Sequence, residues 1–467
     1  MRLYTTDPLF AWDKLPDCPS LVALRSLLNL LPDGPLLEQL RRYRGKGRND
    51  YPLHLLWRVH LTRYWLRHVT MESCLAELER NPALRRVVGL EDGQGVPAAW
   101  NMSRFLEVLG RPEHLTLLEE MFRGLAGRLG QAVAGLGQNL AGDSAALAAR
   151  GDADPAATAL PQPAGGRKEY RDDSGRVTKV YEWFGYKFHL LVDVQHEVVL
   201  AWKITPATGN DAQQIPQLLE QAQQALPAGR IGSLAYDKAA DDEKTHDLLH
   251  RLKIKPLIEN RALWKEEPER LLPHHNPRAP GSPGPRAPRG GANSNVVYDE
   301  AGTLYCYDKV SPVPVKHKMA FAGYEKSRGT LKYRCPARHE GWPPGACPSD
   351  QKCNGENGYG KTVRVKCQLD LRRFPPIPRA TAEFERRYRG RTAVERVNAR
   401  LKLFWGADDG NVTGAARFHA HLATILLVHI TMANWLAMSP RYEGKSLSPT
   451  RLSQVARRLH QATGGSG

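Results

Sequence analysis

The spacing of apolar residues changes along the chain, and each change predicts a different kind of element. In YPLHLLWRVHLTRYWLRHV, Tyr51–Val69, apolar side chains recur three and four residues apart, the period of an amphipathic helix. ERNPALRRVVGL and NMSRFLEVLG keep that period as shorter helices, the second with Asn101 or Ser103 as its expected N-cap. Helix is therefore predicted from Tyr51 to about Gly127. Arginines on the outer faces suit a DNA-binding helical domain as well as a plain bundle.

From about Leu136 the pattern becomes that of strands. NLAGDSAAL opens with a short apolar run, read as a first strand ending in Asp143. An Ala/Pro/Gly-rich loop follows through about Gly166. VYEWFGYKFHLLVDV and VVLAWKITPA read as adjacent strands joined by a turn at QHE. DAQQIPQLLEQAQQAL is an amphipathic helix, IGSLAYD a short strand ending in Asp237, DEKTHDLLHRL a helix and IKPLIEN a strand. The mixed order predicts an α/β sheet with helices packed on it.

Beyond Asn260 the periodicity fades. HHNPRAPGSPGPRAPRGGANS is a Pro/Gly-rich loop, and the residues after it hold Cys306, Cys335, Cys347, Cys353 and Cys367. Helical pattern resumes near Arg379. Leu422–Met438 is the most apolar segment, but His429 and Asn434 interrupt it and it is short for a membrane span, so a buried core helix is expected. The chain thus divides into a helical N-terminal domain (1–127), a first part of an α/β core (128–260), a loop with a Cys-rich insertion (261–370), a second part of the core (371–438) and a mobile tail (439–467).

Charge narrows the function. The 467 residues carry 66 Lys+Arg against 49 Asp+Glu, a net +17, which points to a polyanionic partner. Nucleic acid is the usual one, and an anionic membrane surface satisfies the same sign. The N-terminal sequence has no apolar signal region, and seven cysteines are an odd number. A cytoplasmic protein without a disulfide framework is expected. No recognisable single-strand-reading motif supports an RNA-binding protein.

Three acids stand at chemically suggestive places: Asp143 and Asp237 at predicted strand ends, and Glu395 on the helix after the insertion. Strands that end together would bring the two aspartates to one sheet edge, and a helix crossing it would add the glutamate. Carboxylates that converge repel one another unless cations lie between them, and hard oxygen ligands suit two Mg²⁺ or Mn²⁺ ions. Such a pair stabilises the attacking and leaving oxygens of an in-line phosphodiester displacement. Each acid also has an ordinary use: Asp143, Asp237 or Asp241 as a helix cap, and Glu395 as an ion-pair partner of Arg391.

Within YRGRTAVERVNARLK, Tyr388, Arg391, Glu395 and Lys402 stand at relative positions 0, 3, 7 and 14. On one continuous helix they would share a face about 60° wide. Ten basic and three acidic residues lie between Arg372 and Lys402. An acid for metal, flanked by cations and a phenol for phosphates, fits that stripe.

The spacing Tyr-(2)-Arg-(3)-Glu-(6)-Lys resembles the signature of a group of insertion-sequence DDE transposases. YPLHLLWRVHLTRYW, ERNPALRRVVGL and MSRFLEVLG resemble the InsH-type N-terminal domain. AGDSAAL, FGYKFHLLVD, ITPATGNDAQ and AYDKAADDEKTHDLL resemble the core up to the second acid. RTAVERVNARLKLFWG resembles its end. The resemblance covers most of residues 50–435. It implies an RNase H-like core that binds terminal inverted repeats of double-stranded DNA, cuts them with Mg²⁺ and joins them to target DNA.

On the same basis Asp143, Asp237 and Glu395 are the expected catalytic and metal-binding acids, with Asp241 the rival to Asp237. Tyr388, Arg391 and Lys402 are the expected DNA contacts, and a homodimer or larger synaptic complex is the expected assembly. Trp342 and Trp405 could stack a flipped base, although core packing is the commoner use of tryptophan. Structural zinc is not expected: Cys335-x11-Cys347-x5-Cys353-x13-Cys367, with His317 and His339 nearby, departs from the usual ligand spacing. The rival readings are a nuclease of the same fold without strand transfer, and a catalytically silent DNA-binding descendant.

Overall fold

The computed structural model describes residues 18–46, 49–91, 93–150, 159–172, 176–265, 268–273, 295–339, 347–354, 356, 358–408, 412–438 and 446–447. The loop 274–294, Trp342 and nearly all of the expected tail lie outside these residues. The chain forms two compact units: residues 1–231 with 392–467, and residues 232–391.

The first unit opens with seven helices, α1 (Pro19–Leu30), α2 (Gly34–Arg44), α3 (Leu53–Trp65), α4 (Met71–Arg80), α5 (Pro82–Val88), α6 (Ala99–Leu109) and α7 (Pro112–Ala132). Local chemistry sets several starts. Thr70 accepts from the Ser73 N–H at 3.1 Å to open α4, and Asn81 accepts from Leu84 at 3.0 Å to open α5. The expected cap of α6 is displaced. Asn101 lies inside the first turn, its side chain accepting from the Ala98 N–H at 3.0 Å, and Ser103 is within the helix.

Four strands follow: β1 (Asn139–Ala148), β2 (Ala164–Arg171), β3 (Val177–Asp193) and β4 (Val199–Pro206). The long β3 pairs antiparallel with each of the others. β2 occupies the end of the expected loop; its sequence AGGRKEYR has no apolar alternation to announce a strand. β1 also runs past its predicted end, so Asp143 sits mid-strand opposite Leu190 and cannot cap a helix. Gly185 has φ +152°, and a Cβ there would strike the Leu147 carbonyl where β1 and β3 approach. Helix α8 (Ile215–Ala225) packs on β4 through Ile215, Leu218, Leu219 and Ala222.

The second unit begins with β5 (Ser233–Tyr236), a 3₁₀ turn at Lys238–Ala240, α9 (Glu243–Arg251) and β6 (Lys255–Ile258). β5 and β6 are parallel, with Tyr236 beside Ile258. The insertion is built of strands. β7 (Glu269–Leu271), β8 (Val296–Asp299), β9 (Leu304–Tyr307) and β10 (Lys316–Lys318) form one antiparallel sheet. β11 (Ala320–Glu325), β12 (Thr330–Arg334) and β13 (Thr362–Lys366) form another, with the short α10 (Asp350–Asn354) after β12. Val296, Leu304, Leu331, Val363 and Phe374 belong to one buried core shared by both sheets. Helix α11 (Ala382–Tyr388) then packs on β6, and a 3₁₀ turn at Arg389–Arg391 packs on β5.

The chain returns to the first unit as α12 (Thr392–Trp405) and α13 (Ala415–Ala437). α13 is long and apolar enough to cross a membrane, yet 94% of its apolar window is buried inside the protein. Its polar residues have protein partners. His429 accepts from the Val199 N–H at 3.1 Å, Asn434 donates to the Leu125 carbonyl at 3.0 Å, and Thr424 meets His60 at 3.1 Å. Partners of this kind let a core helix carry such groups without leaving them unpaired.

Candidate active site and nucleic-acid contacts

Of the predicted site residues, Asp143, Glu395 and Lys402 belong to the first unit, and Asp237, Tyr388 and Arg391 to the second. Tyr388 to Lys402 is not one helix: α11 ends at Tyr388, a 3₁₀ turn intervenes and α12 begins at Thr392. A 3₁₀ turn advances about 120° per residue rather than 100°, so the four-residue stripe does not hold as drawn. Glu395 and Lys402 keep their common side of α12, seven residues apart.

α12 buries Ala393, Val394, Val397 and Leu401, packs on β1 and β3, and leaves Glu395 exposed. Two sets of contacts align it. Arg396 pairs with Glu197, in the β3–β4 turn, at 2.6 Å, and Arg400 pairs with the same carboxylate. Further along, Lys402 Nζ donates to the Ala146 carbonyl of β1 at 2.5 Å. Because β3 ends beside the start of β1, these contacts run α12 parallel to β1. The helix of Glu395 therefore lies against the strand that carries Asp143. Arg389, Arg396 and Arg400 lie off the predicted stripe and pair with Glu385 or Glu197.

On the opposite face of β1, Ser144 donates to Asp211 at 2.9 Å and Lys187 pairs with Asp211 at 3.1 Å. His189, directly across from Ser144, meets Thr205 at 2.8 Å, and burial lowers its pKa to about 4. The motifs FGYKFHLLVD and ITPATGNDAQ contain Lys187, His189 and Asp211, but sequence spacing did not reveal that they gather behind Asp143.

In the second unit the two candidate aspartates separate by environment. Asp237 follows β5, is half-buried, and accepts from the Ala239 N–H at 3.0 Å, so it does cap the 3₁₀ turn. The cap of α9 is Asp242, which accepts from Thr245 at 2.9 Å. Asp241 is fully engaged. His246 meets it at 2.9 Å, Arg372 and Arg379 each donate at 2.9 Å, and the Arg261 N–H donates at 2.7 Å. Burial alone would raise its pKa, but the His246 hydrogen bond, the Arg379 charge and the other donors outweigh that and hold it at about 2. A carboxylate so occupied has no coordination left to offer, which favours Asp237 over Asp241.

Tyr388 stacks on Phe384, ring centroids 5.6 Å apart, with the Arg391 guanidinium 6.0 Å from its own ring centre. Burial and the charge of the neighbouring Glu259 carboxylate push its pKa up. Trp405 is buried against His429 at a centroid distance of 5.9 Å, a core position that rules out stacking on a flipped base.

Carboxylate oxygens at exposed or half-buried positions are the donor set a hard divalent cation takes. Neither unit alone contains all three acids, and among the described residues no three His, Cys, Asp or Glu side chains are gathered to hold a metal. The insertion's five cysteines are free; burial raises Cys306 to about 11 and Cys367 to about 12, so both are thiols rather than thiolates.

A basic α/β protein with a helical N-terminal region and acids set on core strands and a helix has the charge to bind a polyanion and the oxygen donors to take a hard cation. Two family models narrow the class. One, described as Transposase DDE domain, matches residues 152–431; the other, Transposase domain (DUF772), matches residues 13–107. The chain belongs to the DDE transposase family and is a DNA transposase, with the nuclease and transesterase activity that the domain implies. Reactions of this family depend on a divalent metal, typically Mg²⁺. No match was found among curated proteins. Asp237, Tyr388, Arg391, Glu395 and Lys402 lie inside the DDE match, whereas Asp143 lies just before it.

Proposed function

We propose that this protein binds the terminal inverted repeats of an insertion sequence, cuts at them and joins the ends to target DNA, using Asp143, Asp237 and Glu395 on an RNase H-like core. The observation that carries this reading is the packing of α12 on β1, which sets the helix of Glu395 against the strand of Asp143. Asp237 supplies the third acid from the end of β5. Bound Mg²⁺, in one or two copies, would supply charge stabilisation to both oxygens of an in-line displacement. The protein's part is to aim the three carboxylates and hold the DNA phosphates. Arg391 and Lys402 are cations suited to that second task, and the helical domain over residues 1–127 adds sequence-reading contacts.

Two ends must meet for transposition, so the active form is a homodimer or larger synaptic complex acting on the nucleoid in a prokaryotic cytoplasm.

The test incubates the full chain with Mg²⁺, a duplex carrying the repeats that flank its gene, and a supercoiled target plasmid. Joined products support the proposal. Cleavage without joining identifies a nuclease, and binding without either identifies a silent DNA-binding descendant.

A further inference from the structure

β3 is longer than the sheet it anchors. It pairs with β1 only from Gly185 onward and with β4 only from Tyr186 onward. Its earlier residues, Val177–Phe184, pair with β2. At about 3.4 Å per residue, this stretch is a two-stranded ribbon roughly 25 Å long. Arg167–Tyr170 on one strand and Val177–Glu182 on the other are exposed throughout. A ribbon that buries so little adds nothing to the core, so its two faces must be read for what they offer outside it.

Directly paired residues share a face, and faces alternate along each strand. One face carries the pairs Arg167–Glu182 and Glu169–Val180 and settles its own charge: Arg167 pairs with Glu169 at 2.9 Å and with Glu182 at 3.6 Å. The other face carries the pairs Gly166–Trp183, Lys168–Tyr181 and Tyr170–Lys179, which place three aromatic rings and two lysines together with no acid among them.

That second face is held in place. A Cβ at Gly166 would fall 2.5 Å from the Trp183 ring, so glycine is what lets the indole cover β2 there, and the indole N–H donates to the Tyr186 carbonyl at 3.2 Å. Tyr181 stacks on Trp183 with centroids 5.6 Å apart, and Lys168 Nζ stands 5.5 Å from the Tyr170 ring centre. Tyr170 and Tyr181 still leave 46% and 44% of their surface to solvent. Cations beside exposed aromatics suit nucleic acid, and the major groove of a duplex is wide enough to admit a two-stranded ribbon. Both tyrosines already have a neighbour on one ring face, so they offer edges and hydroxyls rather than an open platform for an unstacked base, which favours a duplex over a single strand.

We propose that this ribbon is a DNA-binding arm: it lies against a duplex, with Lys168 and Lys179 on phosphates and Tyr170 and Tyr181 on sugars and base edges. The arm rests on the transposase reading for the identity of that duplex, the transposon end, and adds a contact surface separate from Tyr388, Arg391 and Lys402.

The test measures binding of the full chain to an end duplex over a range of salt, for Lys168→Ala with Lys179→Ala, Tyr170→Ala with Tyr181→Ala, and Val180→Thr on the opposite face. The lysine pair should lower affinity by about tenfold at about 0.1 M salt and reduce the slope of log K against log salt by about two, because each phosphate contact contributes about 0.9. The tyrosine pair should lower affinity by about fivefold and leave the slope unchanged, because no charge is lost. Val180→Thr should bind as the wild type does, and all three variants should keep the wild-type urea midpoint. Wild-type affinity and slope in both stripe variants would overturn the arm. A changed molar mass in light scattering with unaltered DNA binding would also overturn it, by making the face a contact between copies of this chain. A defect seen only with the single strand of the same sequence would overturn it as well. End joining by the wild type, assayed alongside, keeps the two readings apart: binding defects in the stripe variants of a chain that cannot join ends would sink transposition and leave the arm standing.

Discussion

Replacing Asp241 by Asn should loosen the turn that carries Asp237. Asp241 is buried and receives four donors: His246, Arg372, Arg379 and the Arg261 N–H. Its folded pKa of about 2 lies below the unfolded value of 3.8. Stability from this group is therefore fully present above the unfolded pKa and lost as pH falls from about 4 to about 2. At 1.36 kcal/mol per pKa unit, the contribution is about 2 kcal/mol. Asn resembles the permanently protonated acid, so that amount should be missing at pH 7. The amide NH₂ also faces two buried guanidinium groups, which carries the total toward roughly 3–5 kcal/mol. The assay is hydrogen exchange of the Arg261 amide, with urea midpoints of the second unit at pH 7, 4 and 2.5. The variant should exchange faster at pH 7 and lose the wild type's acid slope. A loss under about 1 kcal/mol, or an unchanged slope, would refute the reasoning.

Acid should weaken the first unit over a different range. Burial lowers His60 and His429 to about 3, and His189 and His419 to about 4, all below the ordinary 6.5. The unfolded chain takes up these protons first, so stability is full above about pH 6.5 and falls steadily toward pH 4; urea midpoints across that range check it, and a flat profile contradicts it. Lys402→Ala should weaken end binding and reduce the salt slope of log K by about one, as loss of one phosphate contact does; an unchanged slope would leave Lys402 as a tether of α12 to Ala146 alone. Gly185→Ala should destabilise the first unit by on the order of 2 kcal/mol or more, read from its urea midpoint, because the Leu147 carbonyl occupies the place of the new Cβ; a neutral outcome would show that β1 and β3 can part without cost.

Periodicity made some elements legible and hid others for physical reasons. The β3–β4 hairpin, α8, β5, α9 and β6 have apolar runs with turn residues between them, and all form where the pattern predicted. β2 did not show, because a strand that buries little has no alternation to display. The continuation of β1 past Asp143 was masked by Ser144, Ala145 and Ala146, small residues with little strand preference that are held by pairing with β3. The break after Tyr388 was missed because helical arithmetic assumes a uniform turn. Gly390, a poor helix former, sits where α11 gives way to a 3₁₀ turn.

Acids on core elements were visible as residue types, but their surroundings were not. Sequence resemblance offered Asp237 as the second acid with Asp241 as its rival; what it did not show is that Arg372 and Arg379, far along the chain, already occupy Asp241.

The central claim is that Glu395 serves the chemistry and not the grip on DNA. Binding and Mg²⁺-dependent cleavage of an end duplex, measured side by side for the wild type and Glu395→Gln, test it most directly. The account predicts affinity within a few-fold of wild type and cleavage reduced by about 10³ or more. Full cleavage by Glu395→Gln would contradict it.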